Sequence, residues 1–183
     1  MKRLGSALLA GAVAVLVSAA PAGAQYIFLG GGATIPVSDY KDFAKTGWIA
    51  TGGVGFDIGS RGLWVELQGY YGSNKHEGTS GDKTDLLSGM GALGYTFSPE
   101  AKVTPWVMAG VGFLSHKFKP GSGGSSSSTS FAYEAGAGLA FMASSRLHIW
   151  TGGQFTSGTG DNSGTKFISL LLGVSIGIGG GGM

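Results

Sequence analysis

Three acidic side chains sit in segments that are otherwise apolar or small: Asp57, Glu66 and Glu134. A carboxylate carried into such surroundings needs a hydrogen-bond partner or a counter-charge. Gln68, Gln154, His148 and Tyr70 lie at positions that can supply one, as can water. Two chemistries fit this set. One is a polar network that locks an interior. The other is a constriction that prefers cations. Trp64, Trp106 and Trp150 form a second group, because each begins a segment in the same way: Leu63-Trp64-Val65, Pro105-Trp106-Val107 and Ile149-Trp150-Thr151. Three indoles at equivalent places suggest a ring that plugs one end of an interior.

Other chemistries find less support. A hydrolase or acyltransferase needs a nucleophile, a base and an orienting group in mutual reach. The histidines are His76, His116 and His148. Ser115 and His116 are adjacent, so on a strand their side chains leave opposite faces. Glu77 beside His76 falls in a connection. No catalytic set is expected. Three scattered histidines and no cysteine make no transition-metal cluster. Asp82 and Asp85 fall short of the oxygen count calcium needs. Gly30-Gly31-Gly32 follows no βα pattern, so a phosphate loop is unsupported. No cofactor is expected, and without a basic cluster neither is a nucleic-acid partner.

The elements that position these residues read as eight strands, near 25–37, 47–59, 63–72, 86–97, 104–116, 131–141, 147–156 and 166–178. Each is long enough to cross a bilayer, which takes about 9–11 residues of strand. Their connections alternate between short and long. The short ones are 60–62, 98–103 and 142–146, and the long ones 38–46, 73–85, 117–130 and 157–165. Most charges collect in the long connections, and no basic residue lies mid-strand. Apolar side chains alternate with small or polar ones, and Asp57, Glu66 and Glu134 all fall on the polar side. This is the pattern of an antiparallel barrel with a lipid-facing wall, short periplasmic turns and longer external loops. A charge on the lipid face costs about 2–4 kcal/mol at the midplane, which accounts for where the charges are absent.

The glycines support the same reading. Eleven of the 37 take the lumen side: Gly30, Gly32, Gly53, Gly55, Gly94, Gly110, Gly112, Gly136, Gly138, Gly152 and Gly173. Eight strands leave an interior only just wide enough for side chains, so glycine makes room for bulky neighbours. On the apolar side, aromatics fall at two levels, as interfacial girdles do. Trp48, Tyr71, Phe113, Phe131 and Phe155 mark the external level, and Phe56, Phe97 and Phe141 the periplasmic one. Segment 121–130 (GSGGSSSSTS) reads as a flexible external loop tip. A soluble exported barrel is the alternative fold, but it would turn a glycine-rich, charge-poor face to water.

Residues 1–24 read as a cleavable export signal. Lys2 and Arg3 precede an apolar run, and Ala22-Gly23-Ala24 offers the small-residue cleavage site. Of twelve basic residues, two lie in this leader, so the remainder balances ten acidic ones. Charged residues make up 12% of the chain, about half the usual ~25%. Residues 25–178 then form one barrel domain, and 179–183 a glycine-rich tail.

TPWVMAGVGF (104–113), FAYEAGAGLAF (131–141) and ISLLLGVSIGI (168–178) resemble strands five, six and eight of the bacterial outer-membrane β-barrel family. That family includes OmpA-type barrel domains and the opacity, OmpX and OmpW proteins. The resemblance implies an all-β, eight-stranded, up-and-down transmembrane barrel in the outer membrane, inserted by the outer-membrane assembly machinery. It implies contact with outer-membrane lipid and lipopolysaccharide, a monomer, and a non-enzymatic role in envelope structure or surface interaction through the external loops. A narrow channel or carrier for small solutes or apolar molecules is the alternative, and a lipid-modifying enzyme a remote one. The family has no single activity. Such barrels usually finish on an aromatic residue, where this chain has Ile176 and Ile178.

Overall fold

The computed structural model describes residues 25–58, 62–78 and 81–178. The leader, the tail and part of the first short turn, expected at 1–24, 179–183 and 60–62, lie wholly or partly outside them. Eight antiparallel strands close into one barrel in chain order. They are β1 (Gln25–Val37), β2 (Gly47–Asp57), β3 (Leu63–Lys75), β4 (Lys83–Thr96), β5 (Val103–Lys119), β6 (Ser126–Met142), β7 (Leu147–Gly158) and β8 (Lys166–Gly177). Closure comes from β1 pairing with β8 over Tyr26↔Gly177 to Val37↔Lys166. No edge is left, which is what lipid demands of a sheet.

The period of two decides which way each side chain points. On the outer wall Leu29 is 68% exposed and Leu172 is 62% exposed, while the inward-facing Phe167 and Leu171 are buried. An outer surface this apolar suits hydrocarbon and not water. Trp48 and Tyr71 meet edge to face at 5.6 Å at the external level, and Tyr95 and Phe97 at 5.0 Å at the periplasmic level. Both girdles therefore stand on the lipid face, with Tyr95 an addition to the periplasmic one.

Three strand pairs run further than their side-chain pattern indicates. β3 and β4 stay paired out to Lys75↔Lys83, β4 and β5 out to Lys83↔Lys119, and β5 and β6 out to Phe118↔Ser126. Half of the glycine- and serine-rich segment is thus strand, not loop tip. Backbone pairing and polar side-chain contacts such as Ser73–Asp85 sustain these extensions, so no apolar alternation reveals them. β5 and β6 have 17 residues each. A crossing uses about 9–11 residues, so this hairpin stands well clear of the bilayer.

Candidate functional site

The lumen has two unlike halves. Its external half is filled. Tyr40, Ala44, Ile49, Tyr70, Leu86, Met90, Leu114, Ala132, Phe167 and Leu171 form one buried cluster, against which Trp150 packs. Tyr40 comes from the first external loop. Ser38 takes a left-handed backbone (φ 54°), and the 3-10 turn Ser38–Asp42 then drops Tyr40 into the barrel mouth, where it is 0% exposed. Burial raises the Tyr40 phenol pKa above its ordinary value, against the lowering effect of a hydrogen bond with Thr84. Asn74 ties this cap down by donating to Thr34 Oγ1 and to the Lys45 carbonyl, each at 2.8 Å. Asn162, in the short turn Gly160–Asn162, donates to the Leu114 carbonyl at 2.8 Å. Sequence reasoning missed Tyr40, Asn74 and Asn162. Asn74 has lumen parity, which a strand extended past Gly72 reveals. Tyr40 belongs to no periodic pattern.

The periplasmic half holds a cavity of about 580 Å³. Tyr26, Phe28 and the three indoles line it, together with Asp57, Glu66, Gln68, His148 and Gln154. All six expected polar lumen residues except Glu134 border this space. The way the aromatics fit is legible in the strand register. Trp64 stands opposite Gly94, Trp106 opposite Gly138 and then Gly152, and Trp150 opposite Gly173 and then Gly30. A Cβ at any of these glycines would overlap the benzo ring of the indole that crosses it. Tyr26 covers Gly55, and Phe28 approaches Gly53, in the same manner. Each ring therefore extends along the wall across the neighbouring strand, where a larger residue would turn it inward. Trp64 is fixed there by donating Nε1–H to Thr96 Oγ1 at 3.0 Å.

The polar side chains divide the two halves. Glu134 is 2% exposed and accepts from Gln68 Nε2 through Oε1, while its Oε2 has no partner among the described residues. Gln68 lies on β3 and Glu134 on β6, so this bond crosses the lumen. The sequence-based expectation, with Phe141 beside Leu147, puts Glu134 near Gln154. In the structure Phe141 pairs with Ile149, Glu134 with Thr156 and Gln154 with Ser169. Gln154 Nε2 instead lies 3.2 Å from Met108 Sδ. The difference is a two-residue shift of register, with seven residues between Phe141 and its partner where a Phe141–Leu147 pairing leaves five. Glu66, 8% exposed, accepts only a long bond from the Tyr26 hydroxyl, 3.4 Å to Oε2. Asp57 pairs with Trp64 nearer the periplasmic end. His148 Nε2 has no partner among the described residues.

A third cluster caps the outside. His76 stacks on Phe118 (5.1 Å between centroids) and lies 5.3 Å from Phe43. Its Nε2 is 2.8 Å from Thr84 Oγ1, and His116 Nδ1 is 2.8 Å from Thr165 Oγ1. Burial holds the His76 imidazole pKa below its ordinary value, and Asp82 opposes that shift. The Thr84 hydroxyl joining the two histidines is wholly buried, out of reach of a substrate. No group of three metal-binding side chains occurs among the described residues.

Comparison with known proteins agrees with this architecture. Neisserial surface protein A superposes with a TM-score of 0.66 at 16% identity, over 83% of this chain and 96% of that one. The N-terminal β-barrel domain of Pseudomonas aeruginosa OprF gives 0.56 at 17%, over 84% and 97%. Ail, the attachment invasion locus protein of Yersinia pestis, in complex with the heparin analogue sucrose octasulfate, gives 0.53 at 17%, over 85% and 99%. No curated protein sequence matches the chain. At these identities the likeness establishes the fold. Residues 10–176 match the family model of the outer membrane protein β-barrel domain, and the chain is a member of that family.

Proposed function

We propose that this chain is exported by a cleaved leader, stands in the outer membrane as a closed, non-conducting monomer, and works through its external hairpins as an envelope-structural or surface-interaction protein without enzymatic activity. The observation that carries this reading is the filled external half of the lumen. With Tyr40, Leu86, Leu114 and Phe167 fully buried across it, the periplasmic cavity is blind. Glu134 and Gln68 then serve as a lock between the two halves, not as a filter.

The external wall supplies a contact surface. Lys75, Lys83 and Lys119 stand opposite one another across β3, β4 and β5, and Lys117 opposes Asp85. Like charges directly opposite destabilise a sheet. Asp85 relieves one of them, with Lys119 Nζ at 2.5 Å from Oδ2 and Ser73 donating to Oδ1 at 2.8 Å. Four lysines against this aspartate leave a cationic strip just above the exposed Tyr71 and Leu87. At that height the complementary partner is the anionic head-group layer, above all the phosphates of lipopolysaccharide.

Planar-bilayer recording tests the central claim. The purified protein should insert without a steady open conductance. A steady conductance that Glu134→Gln alters would overturn the closed-barrel reading and restore the narrow channel.

A further inference from the structure

The blind cavity has a composition that selects a ligand by charge and shape. Three carboxylates line it: Glu66 in its depth, Asp57 lower, and Glu100 near its mouth beside Gly62 and Pro99. Among the described residues no lysine or arginine lines it; Lys102 and Arg146, in the neighbouring turns, are exposed and lie outside it. His148 is its one lining base among the described residues. The walls between these charges are aromatic, with the rings spread along them by the glycine rows. Its volume falls within the ~300–1,000 Å³ usual for small-molecule sites.

Glu66 supplies the decisive observation. It is more than nine-tenths buried and lines the cavity, yet only Oε2 receives a hydrogen bond, the long one from Tyr26. Oε1 has no donor. Neither Glu66 nor Glu134 has an ion-pair partner among the described residues. An uncompensated buried carboxylate is costly. A neutral occupant leaves that cost standing, and an anion adds to it. A cation removes it in place of a proton, and indole faces within ~6 Å of a cation add their own attraction, strongest where water is excluded.

We propose that the periplasm-facing cavity binds an organic cation, an amine or quaternary ammonium group on a small aromatic or apolar body. The cationic centre sits between Glu66 and the indoles of Trp64, Trp106 and Trp150, and the apolar body lies against Phe28 and Met108. Entry and exit are from the periplasmic end, because the external half is filled. Binding involves no bond making or breaking.

The test uses the refolded full barrel in a neutral maltoside detergent, with benzyltrimethylammonium as the probe and benzyl alcohol as the neutral comparison. The indole Nε1–H resonances of Trp64, Trp106 and Trp150 report on the cavity. Trp48, on the outer wall, reports partitioning into the micelle. The expected result is a saturable shift of the three lumen indoles with Trp48 unmoved, and binding of the cation at least about tenfold tighter than of the alcohol. Glu66→Gln should weaken the cation at least about fivefold and leave the alcohol unchanged. Lumen indoles that do not respond, equal affinity for cation and alcohol, or undiminished cation binding in folded Glu66→Gln each overturn the proposal. Where the variant does not fold, the wild-type comparison of cation with alcohol decides alone.

Discussion

Replacing Gly94 by alanine tests whether glycine rows hold the indoles against the wall. A Cβ at this position falls on Cζ2, Cη2 and Cε2 of Trp64 and on no backbone atom among its three nearest neighbours. The indole is rigid and has the strand behind it, so its free direction is into the lumen. Turning that way breaks the Nε1–Thr96 bond of 3.0 Å. Overpacking costs about 1–3 kcal/mol and a lost hydrogen bond about 0.5–1.5 kcal/mol. The cavity accepts the displaced ring without further clash, which favours the lower part of the range, about 2 kcal/mol. In a Trp64→Leu background the same substitution should cost less than about 0.5 kcal/mol, a coupling of roughly 1.5 kcal/mol. Gly138→Ala is the contrast. Its Cβ also meets the Thr151 carbonyl, so removing Trp106 should not rescue it. Urea unfolding in phospholipid vesicles, followed by far-ultraviolet circular dichroism, measures all of these. Equal costs for Gly94→Ala with and without Trp64 would refute the reasoning.

The external plug makes two further predictions. Tyr40→Ala removes a wholly buried ring and should cost about 3–5 kcal/mol in the same unfolding assay. Tyr40→Phe should cost about 0.5–1.5 kcal/mol, because the hydroxyl's bond to Asn74 is long at 3.4 Å and its contact with Thr84 is also lost; equal losses for the two would place the role in the hydroxyl. The outer cap should loosen in acid. With a pKa held low by burial, folded His76 binds fewer protons than the unfolded imidazole. Its contribution is therefore complete above the unfolded value of about 6.5 and is lost as pH falls below it toward the lower folded value. His116 and Asp82 are the titratable groups facing it, and Asp82 opposes the shift. The protection factors of the Lys45 and Glu77 amides, which bond to Lys75 and Phe43, should fall between pH 7.5 and 5. A His76→Gln variant with the same acid response would assign the loosening to another group.

Much of this molecule is legible from parity alone. Strand count, orientation of Asp57, Glu66 and Glu134, and the glycine face all follow from a period of two combined with the cost of charge in lipid. Register is less legible, because the way one turn closes moves every pair beyond it. The Glu134–Thr156 pairing depends on how the β6–β7 turn closes at Met142↔His148, a matter of backbone geometry. The bond from Gln68 to Glu134 joins residues 66 positions apart. It depends on barrel shear, which no local pattern encodes. Tyr40 is hidden for a different reason. Its burial is decided by a loop folding over a mouth, and neither the loop's length nor its charges announce that.

The glycines and the aromatics constitute one device, and its consequence differs between the two ends of the barrel. Where Trp64, Trp106 and Trp150 meet glycines across the register, their rings spread along the wall and a cavity remains between them. Toward the outside the row-mates are larger. Tyr70 stands opposite Thr51 and Ser88, and Phe167 opposite Pro36 and Thr156. There the rings have no glycine to lie across. They turn inward and meet edge to face, as Tyr70 and Phe167 do at 6.0 Å. An eight-stranded barrel has too little width to be open by default. Whether a level is open or closed is therefore set by what stands beside each aromatic in its pairing row, and a single glycine exchanged for a larger residue should move the boundary between the halves by one level.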